Sequence, residues 1–524
     1  MNVMINRTSL WIMLLLMLAT LVSIWVRWEQ IDPGSLQLRF ENRFWNEEVT
    51  GHTAMILLSY DQAFRYGLPH TLLPSDPFTR DEIAQGHVTP VESDGIAWSA
   101  FRPDRNGAQV YLSFPPPPFL GMFALLKAVG APVNVISVRL LGAVLQGLTA
   151  IFMALFVWSA TKRMTKLAPR AAGALVAGSA YLFSTETWHS SVAGVWAHHI
   201  AQPVFILFAM AFAFKAPGRW RPILLAVLAC LSASFEWSGY MLAFGFFVGA
   251  LLLAWRERNK AHLVDAGAIA LGVMLALITM IAHYAWAIGV DVWLNQLFAR
   301  FDKRSQNLIT YEQLKMMLWI SANGWILLPL VLLPLMVAWR VRLNISGPVL
   351  VAIGALGFAC LELAIMTNHA FHYSFDAFKL VSFLGIVSGL MVAFLFMRYG
   401  KYGRLLVVAL VLGAIAWNAD IWQNVYDEPR RPEDGAVART AKEIAATLED
   451  DRLLFLVTQD PVHLAKFVQG WIGEGLHFVP DTAAARAKLR QACWTQGTVY
   501  HVDLTAGNIV RKENIYAPPC SAPE

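Results

Sequence analysis

Apolar runs close to twenty residues long recur along this chain, at about 9–27, 136–160, 171–185, 192–214, 222–235, 239–255, 265–289, 322–339, 348–367, 378–397 and 405–420. An α-helix needs about 20 apolar residues to cross the hydrocarbon core of a bilayer. The pattern therefore predicts an α-helical polytopic membrane protein with about eleven transmembrane helices. The first run is longer than the apolar core of a signal peptide, and no clear small-x-small cleavage site follows it, so it reads as a retained first helix.

The short polar connections orient these helices. Arg7 precedes the first run; later connections carry Lys162, Arg163, Lys166 and Arg170, then Lys215, Arg219 and Arg221, then Arg256, Arg258 and Lys260, then Arg340 and Arg342, then Arg398, Lys401 and Arg404. Every second connection is basic and almost free of acid, and basic connections stay in the cytoplasm. The N-terminus is expected there and, after an odd number of crossings, the C-terminus outside. In a bacterium this is a multi-pass protein of the inner membrane with a periplasmic C-terminus.

The outward connections are very unequal. Residues 28–135 form one long loop, residues 290–321 a second, and the rest are short. Within the first, 37–48 and 52–66 pattern as amphipathic helices, the second closed by Gly67 and Pro69. A polar stretch then leads to Ser113-Phe114-Pro115-Pro116-Pro117-Pro118 and an apolar piece at 119–130, too short to span and expected in the outer interface. Beyond residue 421 the pattern becomes that of a soluble protein: helix at 433–449, strand at 452–458, helix at 463–473, strand at 476–480, helix at 482–493 and strand at 497–504. Such alternation predicts a small α/β layer domain. The expected division is a membrane domain over 1–420, including the outward loop, and a soluble periplasmic domain over 421–524.

Composition agrees with the pattern: 57% of residues are hydrophobic, 15% are charged and the mean hydropathy is +0.49, against about 25% charged in soluble domains. The formal charge of +5 does not point to nucleic acid, because the basic residues sit in short clusters between apolar runs. Cys230 and Cys360 lie inside apolar runs. Cys493 and Cys520 lie in the soluble segment, where an oxidising compartment makes them a candidate disulfide, with two free thiols as the alternative.

Candidate chemistry gathers at the predicted outer face. The first loop opens with Arg39, Glu41, Arg43, Trp45, Asn46, Glu47, Glu48, Gly51 and His52. Taken alone this is either a solvated helix with internally paired charges or a site at the water boundary. In the second loop, Asp291 to Gln306 patterns as an amphipathic helix with Arg300, Lys303 and Arg304 on one face; these either snorkel to lipid headgroups or hold an anion. Glu186, His189, His198, His199, Glu236, Trp237, Glu362 and the run Asn368-His369-Ala370-Phe371-His372-Tyr373 fall at outer helix ends. Ionisable residues within membrane segments usually face protein or water, which makes Glu236, Glu362, His199 and His372 candidates to line a cavity. His369 and His372 have ligand-like spacing, but no cysteine or carboxylate completes a metal site, and none is assigned.

The order of these features resembles the GT-C superfamily of membrane glycosyltransferases, which includes protein mannosyltransferases, lipid A aminoarabinose transferases and oligosaccharyltransferase catalytic subunits. A first crossing is followed by a large outward loop with an early acid, here within Asn46-Glu47-Glu48-Val49-Thr50-Gly51-His52-Thr53. A helix ends at glycine in Arg65-Tyr66-Gly67-Leu68-Pro69. Tyr111-Leu112-Ser113-Phe114-Pro115-Pro116 leads into an interfacial helix, and the second crossing opens with Arg139-Leu140. The chain departs from the common pattern in offering glutamates where aspartate is usual, and Phe-Pro-Pro where His-Pro-Pro is common.

The resemblance implies transfer of a sugar from a polyprenyl-phosphate donor to a glycan, lipid or protein acceptor at the outer membrane face. Phosphate is then the leaving group, so the enzyme needs a carboxylate to take the acceptor proton and cations to steady the departing phosphate. Glu48 ranks first as base, with His52 one turn on to orient it; Glu47 ranks second and Asp94 third. Arg300 and Arg304 rank above Lys303 for the phosphate, because a guanidinium can grip it bidentately. A donor- or acceptor-binding region before a late helix favours His372, with His369 beside it. Some members of the superfamily use a divalent ion and others do not, and the residues leave both open. The rival reading is a transporter or flippase of a lipid-linked or small polar substrate, although neither an internal repeat nor Gly/Pro-broken midplane helices stand out.

Overall fold

A computed structural model of the 524-residue chain describes residues 7–26, most of 53–60, 101–103, 109–111, 116–184, 187, 206–214, 216, 218–305, 310–338, 345–366, 377–399, 401–426, 436–448, 452–458, 468, 472, 476–491, 494–504 and 506–518. Ten of the eleven expected apolar runs coincide with helices, and the remaining one, 192–214, is described from 206 on, where it is helical to 213. In chain order these are α1 (Arg7–Val26), α3 (Val135–Ala160), α4 (Leu167–Leu182), a segment helical at 206–213, α5 (Trp220–Phe235), α6 (Trp237–Glu257), α7 (Ala261–Ile288), α9 (Tyr311–Ala338), α10 (Gly347–Ile365), α11 (Phe378–Arg398) and α12 (Lys401–Tyr426). Between them lie the short α2 (Pro117–Ala128) and α8 (Val290–Ser305). Among the described residues, α3, α6, α7, α10 and α11 are long and apolar enough to cross a membrane, and shorter apolar helices flank them.

Leu14, Leu18 and Leu21 of α1, Leu271, Met274 and Ile278 of α7, and Leu333 and Val337 of α9 all face outward, exposed. Water would penalise so much exposed apolar surface, whereas lipid does not. Inside, small residues let the helices close up, as packing without a hydrophobic drive requires. In the antiparallel pair α4 and α11 the approach is mutual: a Cβ placed on Gly389 would run into the Gly173 carbonyl oxygen, and one on Gly173 into that of Gly389. Neither backbone can yield cheaply. Gly389→Val is therefore expected to cost about 1–3 kcal/mol through overpacking, read as a lower unfolding midpoint in detergent; an unchanged midpoint would mean that these helices do not touch there.

The basic connections carry their own polar architecture. Arg221 Nε donates to Asp265 Oδ1 at 2.8 Å, His262 Nδ1 lies 3.1 Å from Asp265 Oδ2, and His262 Nε2 lies 3.2 Å from Glu257 Oε2. The cluster ties α5, α6 and α7 together at one end of the bundle. Nearby in the sequence of connections, Arg170 stacks over Trp158 at 4.1 Å and donates to the Trp158 carbonyl.

The C-terminal segment contains α13 (Ala436–Ala445), β3 (Leu453–Val457), β4 (Leu476–Phe478), α14 (Thr482–Gln491), β5 (Gln496–Asp503) and β6 (Asn508–Tyr516). The sheet order is β4-β3-β5-β6, parallel through the first three strands and antiparallel at β6. Alternation sends Phe455 and Val499 against Ala485 and Leu489 of α14. Leu454, Leu456, Tyr500 and Val502 face the other way, in one apolar cluster with Val437, Ala441 and Ile444 of α13 that continues into the bundle core. A parallel sheet covered on both faces is the arrangement such strands require. Two elements were not expected: β6, whose Arg511-Lys512-Glu513 reads as loop but serves on an exposed edge, where charge suits it, and a small hairpin of β1 (Phe101–Pro103) and β2 (Gln109–Tyr111) inside the first long loop. The last membrane helix also runs past the expected boundary at 420, to Tyr426.

Candidate active site

The end of the bundle opposite the basic connections is where both long loops emerge, and there two buried glutamates meet one buried lysine. Glu236 sits in extended conformation between α5 and α6, so its side chain belongs to neither helix. It accepts a hydrogen bond from Ser238 Oγ at 2.6 Å. Glu362 lies in the last turn of α10, and Lys379 in the first turn of α11. Lys379 Nζ donates to Glu362 Oε2 at 2.7 Å and lies 3.4 Å from Glu236 Oε1, with side-chain exposures of 1%, 8% and 2% for Lys379, Glu362 and Glu236. A cation at a helix N-terminus and an anion at a C-terminus both oppose the helix dipole. Local helix preference cannot explain either residue; they are held by each other, across helix ends that the fold makes adjacent.

Beside this triad stands an aromatic cluster built from four separate parts of the chain. Val110 of β2, Met280, Tyr284 and Ala287 near the end of α7, and Trp293 of α8 are buried together, with Trp237 and Tyr240 of α6 packed against them. The Tyr284 and Trp293 rings stack with centroids 6.2 Å apart and planes 12° from parallel; Trp237 and Tyr240 stack at 5.9 Å and 23°. The turn that makes the first stack possible is Gly289, whose φ of 95° is open to glycine and strained for L side chains. It ends α7 and sends α8 off in a new direction, so that Trp293 folds back on Tyr284.

The first loop reaches the same place twice. Its hairpin contributes Val110. Its earlier helical piece buries Thr53, Ala54, Ile56, Leu57, Leu58 and Tyr60, with the Tyr60 ring 5.9 Å from Phe123 of α2. Burial, and secondarily the neighbouring Tyr284, pushes the Tyr60 phenol well above its ordinary range, so it stays protonated and able to donate at neutral pH.

Of the residues singled out in the sequence, Glu236 and Glu362 are brought together, as an ion-paired triad rather than as two separate cavity groups. Arg300, Lys303 and Arg304 lie on α8 as expected, with their side chains outside the description. Glu47, Glu48, His52, Asp94, His199, His369, His372, Cys493 and Cys520 lie outside the described residues. Among the described residues, no group of three or more His, Cys, Asp and Glu could hold a metal ion. Sequence reasoning passed over Lys379. The signal was present, since a lysine inside the first turn of an apolar run is as unusual as the glutamates that were noticed. It also passed over Tyr284 and Trp293, which in the sequence are two among many aromatic residues.

No protein-family model matches the chain, and no curated protein matches its sequence. Its fold is similar to that of ArnT from Cupriavidus metallidurans bound to undecaprenyl phosphate, with a TM-score of 0.52 and 14% identity over 93% of this chain and 92% of that chain. The apo state of ArnT gives 0.50 and 13% over 95% and 93%. The archaeal oligosaccharyltransferase AglB from Archaeoglobus fulgidus, in complex with an inhibitory peptide and a dolichol-phosphate, gives 0.49 and 10% over 94% of this chain and 69% of that chain. Over 93–95% of its length, this integral membrane protein shares the fold of ArnT.

Proposed function

We propose that this protein is a glycosyltransferase that moves one sugar from a polyprenyl-phosphate donor to a glycan, lipid or protein acceptor, at the membrane face where its two long loops emerge. The observation that carries the reading is the convergence of those loops, through Val110 and Trp293, on one aromatic cluster at the end of the bundle. The likeness to ArnT, solved with undecaprenyl phosphate, supports a donor of that class. A transporter requires no such meeting of extramembrane segments.

In the reaction, the acceptor hydroxyl oxygen attacks the anomeric carbon, the bond from that carbon to the phosphate oxygen breaks, and polyprenyl phosphate leaves with the electron pair. The acceptor proton passes to a carboxylate, for which Glu48 is the first choice and Glu47 the second, with His52 as orienting partner. Arg300 and Arg304, ahead of Lys303, balance the charge that develops on the phosphate. One displacement with one base inverts the anomeric centre. The protein is then oriented in the bacterial inner membrane with its N-terminus in the cytoplasm, and residues 421–524 form a periplasmic domain beside the site.

The test is transfer of radiolabelled sugar from a panel of polyprenyl-phosphate monosaccharides, in membranes that contain this chain and in control membranes that lack it. Transfer above the control from at least one donor is the expected result. Failure to consume any donor, combined with uptake of a polar solute into vesicles holding the protein, would put transport in its place.

A further inference from the structure

Gln296 is buried in α8 with 2% of its surface exposed, and neither its Oε1 nor its Nε2 has a hydrogen-bond partner among the described residues. The Tyr240 hydroxyl is likewise buried without a partner. Both groups border the same aromatic cluster: Tyr240 packs against it directly, and Gln296 follows Trp293 by one turn on the buried face of α8. A buried amide left unpaired carries its full desolvation cost, and native proteins rarely keep one without a reason. Structure alone supplies none, since the neighbouring Leu294 and Leu297 show that leucine suits this helix.

An amide that offers two donors and an acceptor, and a phenol hydroxyl, set among aromatic rings, match the chemistry of a sugar, whose ring carries hydroxyls at its edge and C–H groups on its faces. A phosphate would use only the donors of this set and leave the amide oxygen unpaired. The cations stand one turn further along α8, where Arg300 follows Gln296 by four residues, a rise of about 6 Å. That is near the reach from a phosphate to the ring it carries.

We propose that the Gln296 amide, with the Trp293–Tyr284 stack and the Tyr240 hydroxyl, is the subsite that reads the sugar ring of the lipid-linked donor. This rests on the glycosyl-transfer reading above, with Arg300 at the donor phosphate.

The test compares binding of a polyprenyl-phosphate monosaccharide with binding of sugar-free polyprenyl phosphate by the purified full-length protein in nanodiscs, for wild type, Gln296→Leu and Tyr240→Phe. Gln296→Leu is expected to weaken the sugar-bearing lipid about tenfold, the effect of one lost hydrogen bond in a dry site, and to leave the sugar-free lipid within about twofold. Its unliganded melting midpoint should stay level or rise, because an unpaired amide has been replaced by a hydrocarbon of similar size; a structural glutamine would give a fall. Tyr240→Phe should weaken only the sugar-bearing lipid, severalfold. The subsite is overturned if both variants bind the two lipids as wild type does, or lose both alike. If the wild type transfers sugar while the variants discriminate unchanged, the subsite falls and the transferase reading stands. If wild type binds neither lipid, both fall.

Discussion

Replacing Lys379 with methionine is expected to lower the stability of the folded protein by about 3–5 kcal/mol, the usual cost of removing one partner from a buried ion pair. It would be read as a marked fall in the unfolding midpoint in detergent and a loss of monodisperse protein. The ammonium stands 2.7 Å from Glu362 and 3.4 Å from Glu236, and all three side chains are buried. Without it, two carboxylates face each other away from water, at the point where α10, α11 and the α5–α6 junction meet. Replacing all three charges, as Lys379→Met with Glu236→Gln and Glu362→Gln, should restore much of the loss, because a neutral hydrogen-bonded set carries no uncompensated charge. If the single variant melts like wild type, the triad does not hold these helix ends together.

Glu48→Gln is expected to reduce sugar transfer by about 10²–10⁴-fold, the usual contribution of a positioned general base, and to leave donor binding intact. Glutamine keeps the shape and the hydrogen bonds of the side chain but cannot take the acceptor proton. Single-turnover transfer from a saturating polyprenyl-phosphate monosaccharide separates the two effects. Glu47→Gln should cost less. A double variant as active as wild type would remove the start of the first loop from the chemistry and move the search to Asp94.

The same sequence was easy to read in some places and opaque in others, for physical reasons that differ residue by residue. The helices of the bundle were legible because the bilayer imposes a length and a composition on each segment by itself; the run at 378–397 needs no knowledge of its neighbours to be α11. The strands Leu453–Val457 and Gln496–Asp503 were legible for a similar reason, as apolar, β-branched and aromatic runs bounded by polar residues. β6 was not, because an edge strand is half solvated and its Arg511-Lys512-Glu513 resembles a loop. Glu236 and Glu362 attracted notice as charges in apolar surroundings, yet their meaning depended on Lys379, which is 17 residues from Glu362 in the chain and much farther from Glu236. Gln296 is a neutral residue on an amphipathic helix, and no one-dimensional pattern marks it as unpaired.

By itself the sequence marked the apolar runs that are helical wherever they are described, the basic residues that cluster in every second connection, the two long loops and the α/β character of the last hundred residues. Each of these follows from a local rule that a segment obeys alone: run length against bilayer thickness, basic connections against translocation, strand and helix periods against one buried face. Only the tertiary structure decided that Lys379 joins two glutamates, that Gly173 and Gly389 let α4 and α11 touch backbone to backbone, and that Val110, Tyr284 and Trp293 bring both loops to one place. Those facts are pairings between distant residues, set by which helix ends the packing makes adjacent, and they leave no periodic trace in the chain.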